Sequence, residues 1–314
     1  MVTSGCRRVA WSELADRGKL RGGIDSGCTT LNFMGADLLL SQTKRELRRL
    51  DLRAKKGLGQ HFLVDERVLS SLIWAAELAS DDTVVEVGPG LGILTKELAR
   101  KAGRVIAIEV DTKIASVLKE IFIPWPNVTI INADVLESAP EAFLVKGPYK
   151  VVANLPYYIA SAVLRHFLEA SIKPHLIVVT LQKEVAQAIV APPGQMSLLS
   201  VSVQFYGRPA IVDYVPARSF YPLPKVDSAI VRIDLYDHPA VAVEDEAKFF
   251  RVVRSGFSAP RKQLHNSLAQ GLEISARDAV ALLEEVGISQ KRRAETLSLE
   301  EWARVYRVFT EKQC

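Results

Sequence analysis

From residue 82 onward, short apolar runs alternate with longer stretches of mixed polarity. Thr83–Gly88, Arg104–Val110, Val128–Asp134, Lys150–Leu155 and His175–Leu181 are dominated by Val, Ile, Leu and Ala. Strands that are apolar on both faces predict a parallel sheet covered by helices. Between them, Leu94–Lys101 and Lys113–Ile121 read as helices, which makes the pattern α/β. Two later runs, Leu198–Val215 and Ser228–Tyr236, read as β-rich with hairpin-type connections. After Asp237-His238-Pro239 the strand character ends, and residues 245–314 read as helices throughout. The expected division is therefore an α/β unit over 38–240 and a helical unit over 241–314. Residues 38–60 form a basic lead-in: a helix over 38–53, then a loop from Lys55 to Gln60. Asp65 is a candidate N-cap for a helix reaching about Ala79. Residues 1–37 lack periodicity and read as a disordered extension, or as sequence ahead of an alternative start at Met34.

Composition narrows the classes. The chain has 314 residues, 48% hydrophobic and 24% charged, as in an ordinary globular protein. No apolar run approaches the roughly eighteen residues that span a bilayer, so no membrane partner is expected. The three cysteines (Cys6, Cys28 and Cys314) have no metal-ligand spacing, so neither a metal nor a disulfide framework is expected, and a reducing cytoplasm fits. A monomer is expected. Charge is distributed unevenly. Residues 1–60 carry 12 basic and 6 acidic side chains, net +6, and residues 61–244 carry 16 and 20, net −4. Residues 245–314 carry 12 and 10, net +2. Basic flanks around an acidic middle suit a polyanion gripped at the ends while chemistry proceeds between them.

The strand Thr83–Val87 runs into Gly88-Pro89-Gly90-Leu91-Gly92 and then into a helix. Glycines there let a ligand approach the backbone, and the helix N-terminus behind them is electropositive. The spacing discriminates among nucleotides. A dinucleotide fingerprint needs a small residue where this chain has Ile93, and the Gly-Lys-Ser/Thr of a P-loop is absent. The next strand ends at Glu109, placed to meet ribose hydroxyls; the third ends at Asp134, placed to meet an adenine amino group. Acids near the loop suit a sulfonium cation better than a pyrophosphate. These features favour S-adenosylmethionine over NAD.

The fourth strand ends in Asn154-Leu155-Pro156-Tyr157. Methylating an exocyclic amine requires the amino hydrogens to be held and the lone pair turned towards the methyl group. The Asn154 side-chain oxygen and the Leu155 carbonyl, whose backbone Pro156 restricts, can serve as the two acceptors. Tyr157 can stack on an extruded base. Phe220, in the proline-stiffened stretch Arg218–Ser228, is expected to be displayed and to close the opposite face of that base.

Four motifs occur in order: Gly-Leu-Gly-Gln-His-Phe-Leu (57–63), Glu-Val-Gly-Pro-Gly-Leu-Gly (86–92), Asn-Leu-Pro-Tyr (154–157) and Phe-Tyr-Pro-Leu-Pro-Lys-Val-Asp-Ser (220–228). With them the chain, over residues 41–314, closely resembles the bacterial small-subunit ribosomal RNA adenine dimethyltransferases. The resemblance implies a seven-stranded, mostly parallel, Rossmann-like methyltransferase domain with a small all-helical C-terminal domain that binds rRNA. It implies dimethylation of N6 on two adjacent adenines in a hairpin loop near the 3′ end of 16S rRNA in the 30S particle. It places His61, Leu63, Gly88, Gly90, Glu109, Asp134 and Asn154 around the cofactor; His61 stands where many members carry Asn. The basic stretch after residue 255 matches at Arg261 and Lys262, which, with Lys55 and Lys56, are the expected phosphate contacts.

Three rivals remain. The macrolide-resistance enzymes that dimethylate a 23S rRNA adenine share the catalytic motifs; the basic lead-in and long C-terminal region favour the small-subunit reading. A non-catalytic ribosome-assembly factor on the same fold is disfavoured by intact Glu109, Asp134 and Asn-Leu-Pro-Tyr. DNA adenine methyltransferases usually carry proline where this chain has Leu155.

Overall fold

The computed structural model describes the backbone of residues 29–52, 57, 59–144 and 147–312, with side chains from Leu38 onward. The first helix, α1 (Thr29–Arg49), starts earlier than expected, inside the segment read as a disordered extension. Residues 1–28 lie outside the described residues. A two-residue strand, β1 (Phe62–Leu63), precedes α2 (Glu66–Ala75), which Asp65 caps by accepting from the Arg67 backbone N–H.

Strand–helix alternation follows: β2 (Thr83–Val87), α3 (Ile93–Ala99), β3 (Arg104–Glu109), α4 (Thr112–Ile121), β4 (Val128–Asn132), β5 (Tyr149–Asn154), α5 (Ala160–Glu169) and β6 (Leu176–Gln182). Next come α6 (Lys183–Ile189), α7 (Leu198–Tyr206), β7 (Gly207–Val215), β8 (Phe220–Tyr221) and β9 (Ser228–Leu235). Seven strands form one sheet in the order β4-β3-β2-β5-β6-β9-β7, with β9 antiparallel to both neighbours and the other pairs parallel. Strands β1 and β8 pair separately.

The sheet has a distinct apolar layer on each face. Along β5, Val151 and Ala153 join one cluster while Val152 joins the other, the two-residue period of a doubly covered strand. The second cluster lies under α2 and α3. The first continues beyond the sheet: Phe205 of α7 stacks on Phe249 with centroids 4.9 Å apart. Phe249 belongs to α8 (Glu246–Phe257), followed by α9 (Leu264–Leu272), α10 (Ala276–Glu285) and α11 (Leu299–Glu311). The C-terminal helices thus pack on the same core as the sheet. No helix among the described residues is long and apolar enough to cross a membrane.

One element differs in type from expectation. Residues 198–206, read as part of a β-rich run, form α7. The alternation Val201, Val203, Phe205 looks like a strand, yet Ser200 and Ser202 between them are buried too. Ser197 and Ser200 form a capping box that starts a helix, and the Ser202 hydroxyl donates to the Leu198 carbonyl one turn earlier. Short serine side chains that satisfy themselves within the helix allow it to be buried nearly all round.

Candidate active site

The chain runs β2, β3, β4 towards one edge of the sheet and then β5, β6 towards the other. The reversal lies between β2 and β5, and a crevice opens at their carboxyl ends, as expected of an open α/β sheet. The glycine turn and Asn-Leu-Pro-Tyr both line it.

On one side the backbone makes the wall. Gly88 and Gly90 have φ of +68° and +57°, a region that L side chains rarely adopt. A Cβ on Gly90 would lie 3.1 Å from the Phe62 ring. The turn is therefore pressed against β1 and leaves the crevice side for a ligand. Glu109, at the end of β3, is 4% exposed and accepts from the Asp111 backbone N–H at 2.9 Å. Burial raises its pKa, opposed by backbone donors that include Gly90. Asp134 uses one oxygen to accept from the Leu136 backbone N–H at 2.9 Å and also lines the crevice, as does Leu63.

Glu86, the one acid within the apolar run Thr83–Val87, reaches the crevice from beneath the turn. It is 1% exposed, and burial pushes its pKa up to about 8. Its Oε2 has no hydrogen-bond partner among the described residues, nor has Oγ1 of Thr95, which lies close enough to favour the ionised form. A buried carboxyl group with an orphan oxygen, which a nearby positive charge would ionise, fits a cationic ligand. With the glycine cradle and two strand-end acids, the residues present fit S-adenosylmethionine. No cluster of His, Cys, Asp and Glu suited to a metal occurs among the described residues.

On the other side, side chains make the wall. Asn154 donates through Nδ2 to the His61 carbonyl at 3.0 Å and accepts through Oδ1 from the Thr180 hydroxyl at 2.5 Å. Tyr157 is anchored by a 2.6 Å hydrogen bond between its hydroxyl and Ser228 Oγ. The His61 ring stacks on Tyr157, centroids 5.5 Å apart, and its Nδ1 lies 2.6 Å from the Pro222 carbonyl. Leu155 is buried, and Pro156 packs towards Gly88. Tyr158, outside every expectation drawn from sequence, is 56% exposed and lines the mouth.

Phe220 is not displayed. It is 3% exposed and belongs to the apolar cluster that includes Leu63 and Val215. The cause is strand periodicity. In the β1–β8 pair, Leu63 lies opposite Phe220, and Phe62 opposite Tyr221. Paired residues share a face and successive residues alternate, so Phe220 follows Leu63 into the core. Tyr221 takes the face of Phe62, with Lys44 Nζ 5.2 Å from its ring centroid.

Of the expected phosphate contacts, Arg261 and Lys262 are exposed in the turn between α8 and α9, where the Lys262 backbone N–H donates to the Ala259 carbonyl. Neither forms an ion pair among the described residues. Lys55 and Lys56 lie outside the described residues.

This sheet order, with its single reversed strand and the crevice beside β2, is the architecture of the Rossmann-like methyltransferases that use S-adenosylmethionine as methyl donor. Within that class the chain belongs to the ribosomal RNA adenine dimethylase family, whose model matches residues 51–311. It is therefore an rRNA adenine dimethyltransferase. The ribosomal RNA small subunit methyltransferase A of Dehalococcoides mccartyi strain ATCC BAA-2266 / KCTC 15142 / 195 is 51% identical over 281 residues, covering 89% of this chain and 97% of that protein. The protein of the same name from Bacillus cereus strain AH187 is 42% identical over 273 residues, covering 84% and 94%. Among solved structures, the 23S rRNA methyltransferase ErmE is 30% identical with a TM-score of 0.62, covering 79% of this chain and 99% of that one. A dimethyladenosine transferase from Plasmodium falciparum, 24% identical with a TM-score of 0.69 over 81% of this chain and 98% of its own, shows the same fold.

Proposed function

We propose that the protein dimethylates N6 of two adjacent adenines in the hairpin loop near the 3′ end of 16S rRNA, in the 30S particle in the cytoplasm. The observation that carries this reading is the placement of Asn-Leu-Pro-Tyr beside the glycine turn in one crevice, with the Asn154 amide held at both ends. Relatives named small subunit methyltransferase A, at 42–51% identity, favour 16S over 23S rRNA.

S-adenosylmethionine, when bound, supplies an electrophilic methyl group on a sulfonium. In this reading Glu109 accepts from ribose hydroxyls and Asp134 from the cofactor's adenine amino group, supported by their shared position in the crevice lining. Glu86 complements the positive charge, while Gly88, Gly90, His61 and Leu63 shape the walls. In the acceptor half, the Asn154 oxygen and the Leu155 carbonyl accept the N6 hydrogens. That turns the nitrogen lone pair towards the methyl group, and the rate comes chiefly from positioning. Tyr157 offers the stacking surface. His61 already covers one face of Tyr157, so the base stacks from the other side, and the buried Phe220 supplies no second wall. Arg261 and Lys262, in the helical 241–314 unit, and Lys55 and Lys56, in the lead-in to the 38–240 unit, are the proposed phosphate contacts.

The deciding experiment offers labelled S-adenosylmethionine and unmethylated 30S or 50S particles to the protein. Label is expected in 16S rRNA as N6-dimethyladenine. Label confined to 23S rRNA assigns the protein instead to the macrolide-resistance type.

A further inference from the structure

Asn154 is gripped by two groups that lie outside its own tetrapeptide, and one of them belongs to no motif. We propose that Thr180 is a positioning residue for methyl transfer: its hydroxyl, acting with the His61 carbonyl, locks the Asn154 amide with the oxygen available to the acceptor amine. This rests on the reading of Asn154 as an N6 acceptor.

Thr180 interrupts an otherwise apolar segment, Leu176-Ile177-Val178-Val179-Thr180-Leu181, and is fully buried. A hydroxyl there is unfavourable unless it is hydrogen-bonded. Its one described partner is Asn154 Oδ1, at 2.5 Å. The contact follows from sheet register. Asn154 of β5 lies opposite Thr180 of β6, and residues opposite one another project from the same face. As a β-branched residue on a strand, Thr180 has few χ1 choices, so its hydroxyl is aimed rather than free.

The two contacts divide the work. A backbone carbonyl only accepts, so the Asn154 atom facing the His61 carbonyl at 3.0 Å is the nitrogen. The oxygen then faces Thr180, whose hydroxyl donates. One bond alone would leave the amide free to swing about its side-chain torsions; a bond at each end removes that freedom. An amide oxygen has two lone pairs, and Thr180 uses one. The other remains for an N6 hydrogen, since Asn154 is only half-buried and lines the crevice. A reversed amide would point N–H groups at an amino group, donor against donor. Donation from Thr180 also polarises the amide and strengthens the Nδ2–H bond to His61.

The test compares Thr180→Val, which keeps the shape and removes the hydroxyl, with Thr180→Ser, which restores it. Methyl transfer to unmethylated 30S particles is measured at saturating S-adenosylmethionine and substrate. Cofactor affinity is measured by calorimetric titration, and the melting temperature is recorded. Thr180→Val is expected to lower kcat about threefold to tenfold, the size of one net hydrogen bond. Cofactor Kd is expected to stay within about twofold, because the bond serves the acceptor half, and Thr180→Ser is expected to recover most of the loss. Wild-type kcat in Thr180→Val, beside an inactive Asn154→Ala, overturns the inference and leaves the acceptor reading standing. A parallel loss of cofactor affinity, or no recovery in Thr180→Ser, overturns it too, since Thr180 then acts through the fold. Full activity in Asn154→Ala removes the acceptor reading and this inference together.

Discussion

The two walls of the crevice are built in different ways. The cradle of the proposed donor wall is local, although its strand-end acids are not. Glu86, Gly88 and Gly90 are near neighbours in one strand–turn–helix, and the turn works through its backbone. The acceptor wall is assembled from far apart in the chain. Asn154 is tied to His61 across 93 positions and to Thr180 across 26, and Tyr157 is tied to Ser228 across 71. A cofactor that is large and bears many polar groups can be held by a backbone cradle and a few strand-end acids. A single nitrogen lone pair must be aimed, and aiming requires side chains fixed from more than one direction. The contrast implies that damage to the donor wall shows first in cofactor affinity. Damage to the acceptor wall shows first in turnover.

The largest expected effect tests where the boundary of the acceptor wall lies. Phe220→Ala removes a buried ring from a packed cluster and is expected to lower stability by about 3–5 kcal/mol, read by denaturant unfolding. A displayed Phe220 would instead lose turnover with stability unchanged. Next, Asn154→Ala should reduce turnover on the order of 100-fold or more, comparable to deleting a group aimed at a reacting centre, while cofactor affinity changes far less. Equal losses in both would erase the contrast between the walls.

Glu86 supplies a prediction for the donor wall. Burial raises its pKa from an ordinary 4.5 to about 8. The folded protein therefore binds a proton there that the unfolded chain has lost between those values. The associated stability is fully present below about 4.5 and declines as pH rises through about 8. A cationic ligand favours the ionised carboxylate, so its binding releases the proton. Affinity for S-adenosylmethionine should then increase with pH and level off above about 8. In Glu86→Gln this slope shrinks to the part contributed by Glu109, whose pKa is raised in the same direction by burial. Calorimetry in buffers of different ionisation enthalpy counts the released protons; an unchanged count in Glu86→Gln would rule the carboxylate out.

The smallest effect is expected from Tyr157→Phe. It removes the bond to Ser228 and keeps the ring stacked with His61. About 1 kcal/mol, and a few-fold in kcat, is the expected scale. A much larger loss of turnover would mean that the hydroxyl, and not only the ring, belongs to the acceptor wall.

Much of the site is legible because its residues sit where strands end. Gly88, Gly90, Glu109, Asp134 and Asn154 each close an apolar run, and in a parallel sheet all such ends emerge on one side. Glu86, a lone acid in a buried strand, was not singled out in the sequence, and its orphan oxygen is visible only in the structure. Residues 198–206 misled because alternating valines and serines fit a strand as well as a fully buried helix, and only the capping box separates the two. In Phe220-Tyr221 two adjacent aromatics face opposite ways, and which one enters the core depends on the pairing with Phe62-Leu63 some 160 positions earlier.

The α/β class, the glycine turn, the acids at the strand ends and the tetrapeptide proposed to orient the acceptor amine are all legible in the sequence alone. All of these depend on local periodicity, backbone freedom and chain order. What holds the tetrapeptide shows only in the tertiary structure: the β5–β6 register that sets Thr180 beside Asn154, and the His61 carbonyl that accepts from the amide; so does the β1–β8 pairing that buries Phe220. Local alternation sets which residues share a face, but which strands become neighbours, and so which side chains meet across them, is set by the packing of the whole core.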